Sequence, residues 1–166
     1  MRTAQSHTAL ENPPSRSALE DLRMPVQTKL AAAWTSFMFF YIYVDYLHLY
    51  KPGTLDDILG GTVYVFDISG PLLTIFVALI GIPALMVWLS MTLPARVNRA
   101  TNLVVASLYI PVTVFNAAST NWEYASFYAL SIGLEVLLLA FILRDAWTWP
   151  RTTRATAGRD LAQARV

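Results

Sequence analysis

Two acidic residues lie inside long apolar segments, where acids are rare and often functional. Asp45 is near one end of the segment 29–50, and Glu135 is near the middle of the segment 122–147. An ionised carboxylate is costly in hydrocarbon, so both acids are expected to face the protein interior. A desolvated carboxylic acid keeps its proton and can donate it, which makes both residues candidate catalytic acids.

Aromatic and polar side chains recur at helical spacing beside both acids. Three apolar segments each carry such a stripe, and polar groups in lipid need partners. The three stripes are therefore expected to face one another and to line one pocket. The residues predicted to bind substrate there are Trp34, Tyr41, His48, Tyr109, Asn116 and Tyr128.

The composition is that of a membrane protein, with 55% hydrophobic and only 14% charged residues. Soluble proteins average about 45–50% and about 25%. Four segments have about the length that spans a hydrocarbon core of roughly 30 Å. These segments lie at about 29–50, 70–93, 100–118 and 122–147. Short connectors then predict an all-α, integral membrane four-helix bundle of sequential antiparallel helices.

The remaining chain divides into tails and connectors. Residues 1–28 form a polar tail, in which a capping box at 17–20 is compatible with a short interfacial helix, and an irregular tail is the alternative. The transmembrane domain covers 29–150, and a polar, Arg-rich tail covers 151–166. Asn98 is a candidate N-cap of the third helix. The apolar segment 63–66 is expected to lie along the membrane interface.

Basic residues predict the orientation. Eleven of the twelve Lys and Arg residues lie in the N-terminal segment, in the connector 94–99 or at the C-terminal end. The other two connectors contain only Lys51. The positive-inside rule therefore predicts a multi-pass protein of the cell membrane with both termini in the cytoplasm.

Several classes of function have little support in the composition. The chain has no cysteine, which excludes disulfides and thiol catalysis, and a net charge of +1 argues against a nucleic-acid partner. Asp56 and Asp57 form an acidic pair without a metal-binding pattern around it. We expect no metal and no cofactor. The expected partners are membrane lipid and a lipid-soluble small molecule.

Small residues form a second face of the last helix, with Ala125, Ala129, Gly133 and Ala140 nearly in register. Small residues allow helix backbones to approach closely. This face is compatible with packing inside the bundle or with a homo-oligomer. Packing inside the bundle is favoured, because small residues are common in membrane helices.

Three stretches carry a resemblance to known proteins: FMFFYIYVDYLHLYKPGTLDDIL, PARVNRATN and WTWP. They resemble a family of small bacterial four-helix membrane proteins with YIYxD, PxxVNR and WxWP signatures, over residues 28–150. That family has no characterised activity, so the resemblance implies a topology and the positions of Asp45, Asn98 and Arg99. A looser similarity, to small integral-membrane terpene cyclases, lies in the pattern of two acids among aromatic residues.

Three functions remain open from the sequence. The first is a metal-free membrane enzyme that starts cyclisation of a lipid-soluble, isoprenoid-like substrate by protonating it in an aromatic-lined pocket. The second is a non-enzymatic accessory or assembly subunit, in which the acids join helices. The third is a small proton-coupled carrier that acts as a dimer. In the enzyme, Glu135 lies deeper and is the predicted donor. Asp45 orients a tyrosine, accepts the final proton, or donates if the substrate's reactive end stays shallow.

Overall fold

The part of the chain that the structure describes is almost entirely helical. The structure is a computed structural model, and it describes residues 24–117 and 122–150. Its elements are α1 (Val26–His48), α2 (Thr54–Leu59), β1 (Thr62–Val63), β2 (Phe66–Asp67), α3 (Gly70–Thr92), α4 (Ala95–Ala117), a 3-10 turn (Trp122–Tyr124) and α5 (Ala125–Trp147). The predicted interfacial helix at 17–20 and the Arg-rich tail at 151–166 lie outside the described residues.

Three helices of the described part are long and apolar enough to cross a membrane: α1, α3 and the segment Trp122–Trp147. The fourth long helix, α4, also has 23 residues, which corresponds to about 35 Å. It is less apolar because its first turns contain Arg96, Asn98 and Arg99. Large apolar side chains of α3, such as Val77 and Leu85, are exposed on its outer surface.

Two helices begin earlier than the sequence predicted. Helix α1, the first predicted helix, begins at Val26, directly after Pro25. Helix α4, the third predicted helix, begins at Ala95, directly after Pro94. Proline is favoured where a helix starts, because its φ angle suits the helix and its missing N–H is not needed there. The prediction that Asn98 is an N-cap is therefore wrong, since Asn98 lies one turn inside α4.

The helices do not all pack equally against one another. The first helix, α1, packs against α3 and α5, and α5 packs against α4, whereas α3 and α4 make far fewer contacts. Aromatic rings fill the space beside α1. Phe37 lies edge-on to Trp34 and to Tyr109, with ring centroids 5.7 Å apart in each pair, and it stacks on Tyr41 at 5.8 Å. This aromatic cluster joins α1 to α4.

Two carbonyl groups of α3 lose their usual partners to proline, and side chains of α4 replace those partners. Pro83 has no N–H for the carbonyl of Leu79, and the Tyr109 hydroxyl donates to that oxygen at 2.7 Å. Pro94 likewise leaves the carbonyl of Ser90 free, and the Asn98 amide donates to it at 2.6 Å. These bonds connect α3 and α4.

A buried polar network extends this connection to α1. The Trp34 indole N–H donates to Asn102 Oδ1 at 2.7 Å, and the Ser90 hydroxyl donates to the same oxygen at 3.4 Å. The Asn102 amide in turn donates to Asn98 Oδ1 at 2.7 Å. The four side chains are fully buried. Three helices are therefore joined at a point that water does not reach.

Helix α4 also forms a hydrogen bond to the end of α5. Arg99 Nε donates to the carbonyl of Ala146 at 3.1 Å, and its guanidinium lies 5.7 Å from the Trp147 ring centroid. The last carbonyls of a helix lack partners within the helix. Arg99 therefore satisfies one of them and places a positive charge at the negative end of α5.

The small-residue face of α5 does not pack inside the bundle, contrary to the sequence-based expectation. A Cβ atom added at Gly133 would have no heavy atom of the described neighbouring structure within 4 Å. Ala129 and Ala140 are exposed as well. The buried face of α5 is the one that carries Tyr128 and Glu135. A homo-oligomer through the small-residue face stays a prediction.

The polar network predicts a specific pattern of stability. Asn102→Leu leaves the buried Trp34 N–H without an acceptor and should lower the free energy of unfolding by about 1–3 kcal/mol. The double variant Trp34→Phe/Asn102→Leu should lose less than the sum of the single variants, with a coupling of about 0.5–3 kcal/mol. Unfolding by SDS titration measures both quantities, and Ser36→Ala on the exposed side of α1 is the control. Additive losses would contradict the role of this bond.

The open face of α5 leads to a second prediction. Gly133→Leu should change the free energy of unfolding by no more than about 0.5 kcal/mol, as is usual for exposed sites. Ser131→Leu, on the buried side of the same helix, should be strongly destabilising. Thermal unfolding in detergent measures the two variants in parallel. A large loss for Gly133→Leu in the monomer would show that another part of the chain covers this face.

Candidate functional site

A large cavity lies at the end of the helices where α2 and the β1–β2 hairpin are found, which we call the hairpin end. It has a volume of about 870 Å³ and is partly open to the exterior. It occupies the space between Phe76–Ile80 of α3 and Pro111–Asn116 of α4, two helices that make few contacts with each other. The segment 49–66 forms its remaining wall together with the end of α1.

A much smaller cavity lies beside the larger one. Its volume is about 20 Å³, which is enough for one water molecule. Both sequence-predicted acids line it, Asp45 from α1 and Glu135 from α5. Of these two, only Asp45 also lines the larger cavity. Asp45, which is exposed, is thus one of the residues at the boundary between the larger cavity and the small one that reaches Glu135.

The structure brings together six of the eight predicted site residues. Four of them line both cavities: Tyr41, Asp45, His48 and Asn116. Tyr128 and Glu135 line the smaller cavity only. Tyr41 of α1 and Asn116 near the end of α4 are neighbours in the linings of both cavities. The six residues come from three helices, as the stripes on those helices predicted.

The other two predicted residues, Trp34 and Tyr109, line neither cavity. Trp34 has no exposed surface and Tyr109 is only 3% exposed. Their polar atoms are bonded to Asn102 and to the Leu79 carbonyl, as described above. Both residues therefore belong to the packed core, and neither is placed to contact a ligand in these cavities.

Glu135 occupies a tightly enclosed position. Its side chain is 4% exposed, and its carboxyl group is close to the Thr113 hydroxyl. Thr113 Oγ1 is buried and has no partner in hydrogen-bond geometry within the described part of the chain. An unpaired buried hydroxyl beside a carboxyl group leaves a donor available to whichever protonation state that group takes.

Lys51 was not among the predicted site residues, yet it contacts the site directly. It follows the end of α1, and its ammonium group donates to the Tyr128 hydroxyl at 2.6 Å. The same group lies 4.8 Å and 4.7 Å from the ring centroids of Tyr124 and Tyr128. The Tyr128 hydroxyl is also 3.0 Å from His48 Nδ1. The sequence indicated Lys51 only as the single basic residue of its connector.

Tyr64 is the second residue that the sequence did not identify. The pairing of Val63 with Phe66 closes a two-residue hairpin turn, and Tyr64 stands at its first position with φ of 55°. Such turns favour glycine or asparagine there, and a bulky residue at positive φ is strained. The Tyr64 ring lies 5.2 Å from the His48 ring and lines both cavities. Strain of this kind is often found at functional sites.

The Tyr64 hydroxyl keeps its proton over the physiological pH range. Partial burial of the ring, together with the nearby Asp45 and Tyr128, raises the pKa of Tyr64 to about 12. The segment 63–66 forms the hairpin that holds this ring in place, and its expected position along the membrane interface stays a prediction. Within the described residues, no group of three or more histidine, aspartate or glutamate side chains could hold a metal ion.

Comparison with known proteins identifies a family. A family of unknown function, DUF6326, matches residues 22–156. The chain belongs to DUF6326. All described helices and both cavities of this DUF6326 protein lie within the matched range. Comparisons with curated proteins and with solved structures give no match.

Proposed function

We propose that this DUF6326 protein is a membrane-embedded enzyme that acts on a lipid-soluble, isoprenoid-like substrate and starts cyclisation by protonating it. The observation that carries the proposal is the cavity of about 870 Å³ with Asp45 on its wall. Small-molecule sites usually measure about 300–1,000 Å³ and are mostly apolar with a few polar groups. An accessory subunit in which the acids only join helices has no need of such a space.

The chemistry needs only a proton, an alkene and a dry pocket. The protonated acid donates its proton to the substrate, a carbon–carbon π bond attacks the resulting cation, and a ring forms. The last cation then loses a proton, which returns to the acid, so the reaction is an isomerisation and consumes nothing else. Aromatic rings stabilise cations through their faces. The cavity lining contains six such rings, those of Tyr41, Tyr64, Phe66, Phe76, Phe115 and Tyr124.

The arrangement of the cavities favours Asp45 as the acid that touches the substrate. The larger cavity reaches Asp45 but not Glu135, whereas the sequence had favoured Glu135 as the donor. Glu135 takes a second role in the proposal, because the small cavity between the acids has room for one bridging water. Through that water Glu135 exchanges a proton with Asp45 between turnovers.

The proposed setting is a four-helix bundle in the cell membrane, with α4 as the fourth spanning helix. Several polar side chains of α4, among them Asn98, Asn102 and Thr113, are fully buried, so they face other helices rather than lipid. The bias in basic residues favours both termini in the cytoplasm. The hairpin end is then on the outer side.

The orientation is testable because the natural chain has no cysteine. Leu55→Cys at the exposed surface of α2 should react with a membrane-impermeant maleimide added to intact cells. Ala95→Cys at the other end should react only after the membrane is permeabilised. Immunoblotting of the labelled protein measures both reactions, and reversed labelling would contradict the proposed orientation.

The catalytic proposal predicts different effects for the two acids. Asp45→Asn removes the donated proton and should reduce turnover by about 10²–10⁴-fold, whereas Glu135→Gln should have a smaller effect on turnover. Neither change should abolish folding, because the amide preserves the shape of the acid. The measurement is gas chromatography of cyclic products from reconstituted protein that is supplied with farnesyl-chain compounds.

Asp56→Asn is the matched control, since Asp56 is an exposed acid of α2 that does not line the cavity. It should retain full turnover. Cyclisation that survives in Asp45→Asn would refute the role of this acid. If the wild-type protein neither cyclises nor binds any of these compounds, the hypothesis of an accessory subunit replaces the hypothesis of an enzyme.

A further inference from the structure

A chain of hydrogen bonds ends at the cavity without taking part in the proposed proton donation. It runs from Lys51 through Tyr128 to His48, with distances of 2.6 Å and 3.0 Å. His48 lines both cavities, and Lys51 lines the larger one. Lys51 and Tyr128 are held against each other twice, by this bond and by the ammonium lying over the Tyr128 ring.

The direction of the chain follows from its donors. A lysine ammonium can only donate, so the Tyr128 oxygen accepts from Lys51. The hydroxyl proton of Tyr128 is then free to point to His48 Nδ1, which lies at 3.0 Å in position to accept it. A positive His48 would place a second cation at the same phenol oxygen, which Coulomb repulsion disfavours. A neutral His48 that accepts this proton at Nδ1 carries its own ring proton on Nε2.

Tyr64 supplies a second donor close to His48. Its backbone has a positive φ, and its ring lies 5.2 Å from the His48 ring. We call the part of the cavity that Asp45, His48 and Tyr64 line its polar end. The two groups are both uncharged donors, an N–H and an O–H. Asp45 in its protonated form adds a third donor on the same wall.

We infer that the polar end of the cavity binds an uncharged oxygen acceptor, such as an alcohol, ether or ketone, carried on the apolar ligand. His48 Nε2–H and the Tyr64 hydroxyl are the donors, and Lys51 and Tyr128 are positioning residues that hold His48 in its donating form. This inference names the substrate class of the proposed enzyme, and so it rests on the cavity being a ligand site.

Two other ligand classes fit the site less well. A hydrocarbon offers no acceptor to the donors of His48 and Tyr64, so it would lack the hydrogen bonds that an oxygen atom of the ligand would form. An anionic head group would lie beside the carboxylate of Asp57, which lines the same cavity. The ammonium of Lys51 is already engaged by a phenol and two rings, and so it offers little compensation for that repulsion.

Three probes with the same fifteen-carbon chain separate these classes: farnesol, farnesyl phosphate and the parent hydrocarbon farnesene. Binding is measured on the full-length protein in lipid nanodiscs by displacement of a fluorescent prenyl analogue. Farnesol should bind more tightly than farnesene by roughly tenfold, the equivalent of one good hydrogen bond. Farnesyl phosphate should bind no more tightly than farnesol.

Variants test the chain of hydrogen bonds itself. Tyr128→Phe and Lys51→Met should reduce the preference for farnesol over farnesene to about twofold or less, since one broken link releases the His48 tautomer. Tyr43→Phe and Lys29→Met are the matched controls, because both residues are exposed and line neither cavity. His48→Gln places an amide N–H near the position of Nε2 and should keep part of the preference. His48→Phe should remove it.

A spectroscopic readout distinguishes positioning from mere packing. The ¹⁵N spectrum of the imidazole, recorded in a His7→Gln background, should show the proton on Nε2 in the wild type and a tautomer mixture in Tyr128→Phe. Equal binding of farnesol and farnesene, tighter binding of the phosphate, or a proton on Nδ1 in the wild type would each overturn the inference and leave the ligand site in place. Failure of all three probes to bind would remove the proposed function as well.

Discussion

Backbone carbonyls without a helical partner are the constraint around which this protein is built. In a hydrocarbon environment no water is available to accept or donate in their place, so another part of the chain must supply the bond. Pro83 and Pro94 each remove one donor from α3, and the end of α5 adds unpaired carbonyls of its own. Residues of α4 meet these needs: Tyr109, Asn98 and Arg99 donate to Leu79, Ser90 and Ala146. The polar character of α4 is thus a requirement of its neighbours.

This arrangement also decides where the cavity lies. The polar network of Trp34, Ser90, Asn98 and Asn102 joins three helices at the end opposite the hairpin. Beyond the bond from Tyr109 to Leu79, towards the hairpin end, the walls of α3 and α4 are separated by the large cavity. One part of the molecule is therefore held together by satisfied polar groups, and the other part leaves space beside Asp45.

The sequence was sufficient for the long helices and for most of the site, because both follow from periodicity. Apolar length gives the helices, and a polar residue in such a segment has few places to go except the interior, which is why Asp45, Tyr41 and Glu135 were found together. The position of a residue along a helix does not by itself predict whether its side chain contacts the cavity. Trp34 and Tyr109 have the same spacing as the cavity residues but are closed off by aromatic packing, which depends on how several helices meet.

The site residues that could not be predicted from the sequence lie in the connector between α1 and α3. Tyr64 is identified by its positive φ in a two-residue turn. Sequence periodicity does not predict a tyrosine at a turn position that favours glycine. Lys51 looked like a lone charge in a loop, and its role depends on Tyr128, which is far away in the chain. The resemblance drew attention to Asn98 and Arg99, and the structure gives both a part in helix packing rather than in the cavity.

The partly open position of the cavity between α3 and α4 has a thermodynamic consequence. A ligand that arrives from the bilayer leaves hydrocarbon chains for apolar side chains, and these two surroundings are nearly equivalent for its tail. The tail then determines how much of the compound dissolves in the membrane, and it adds little to the preference for the protein. Occupancy follows the mole fraction of the compound in the lipid rather than its concentration in water. In the proposed function, selection among the many apolar molecules of a membrane therefore depends on the few polar atoms at the hairpin end.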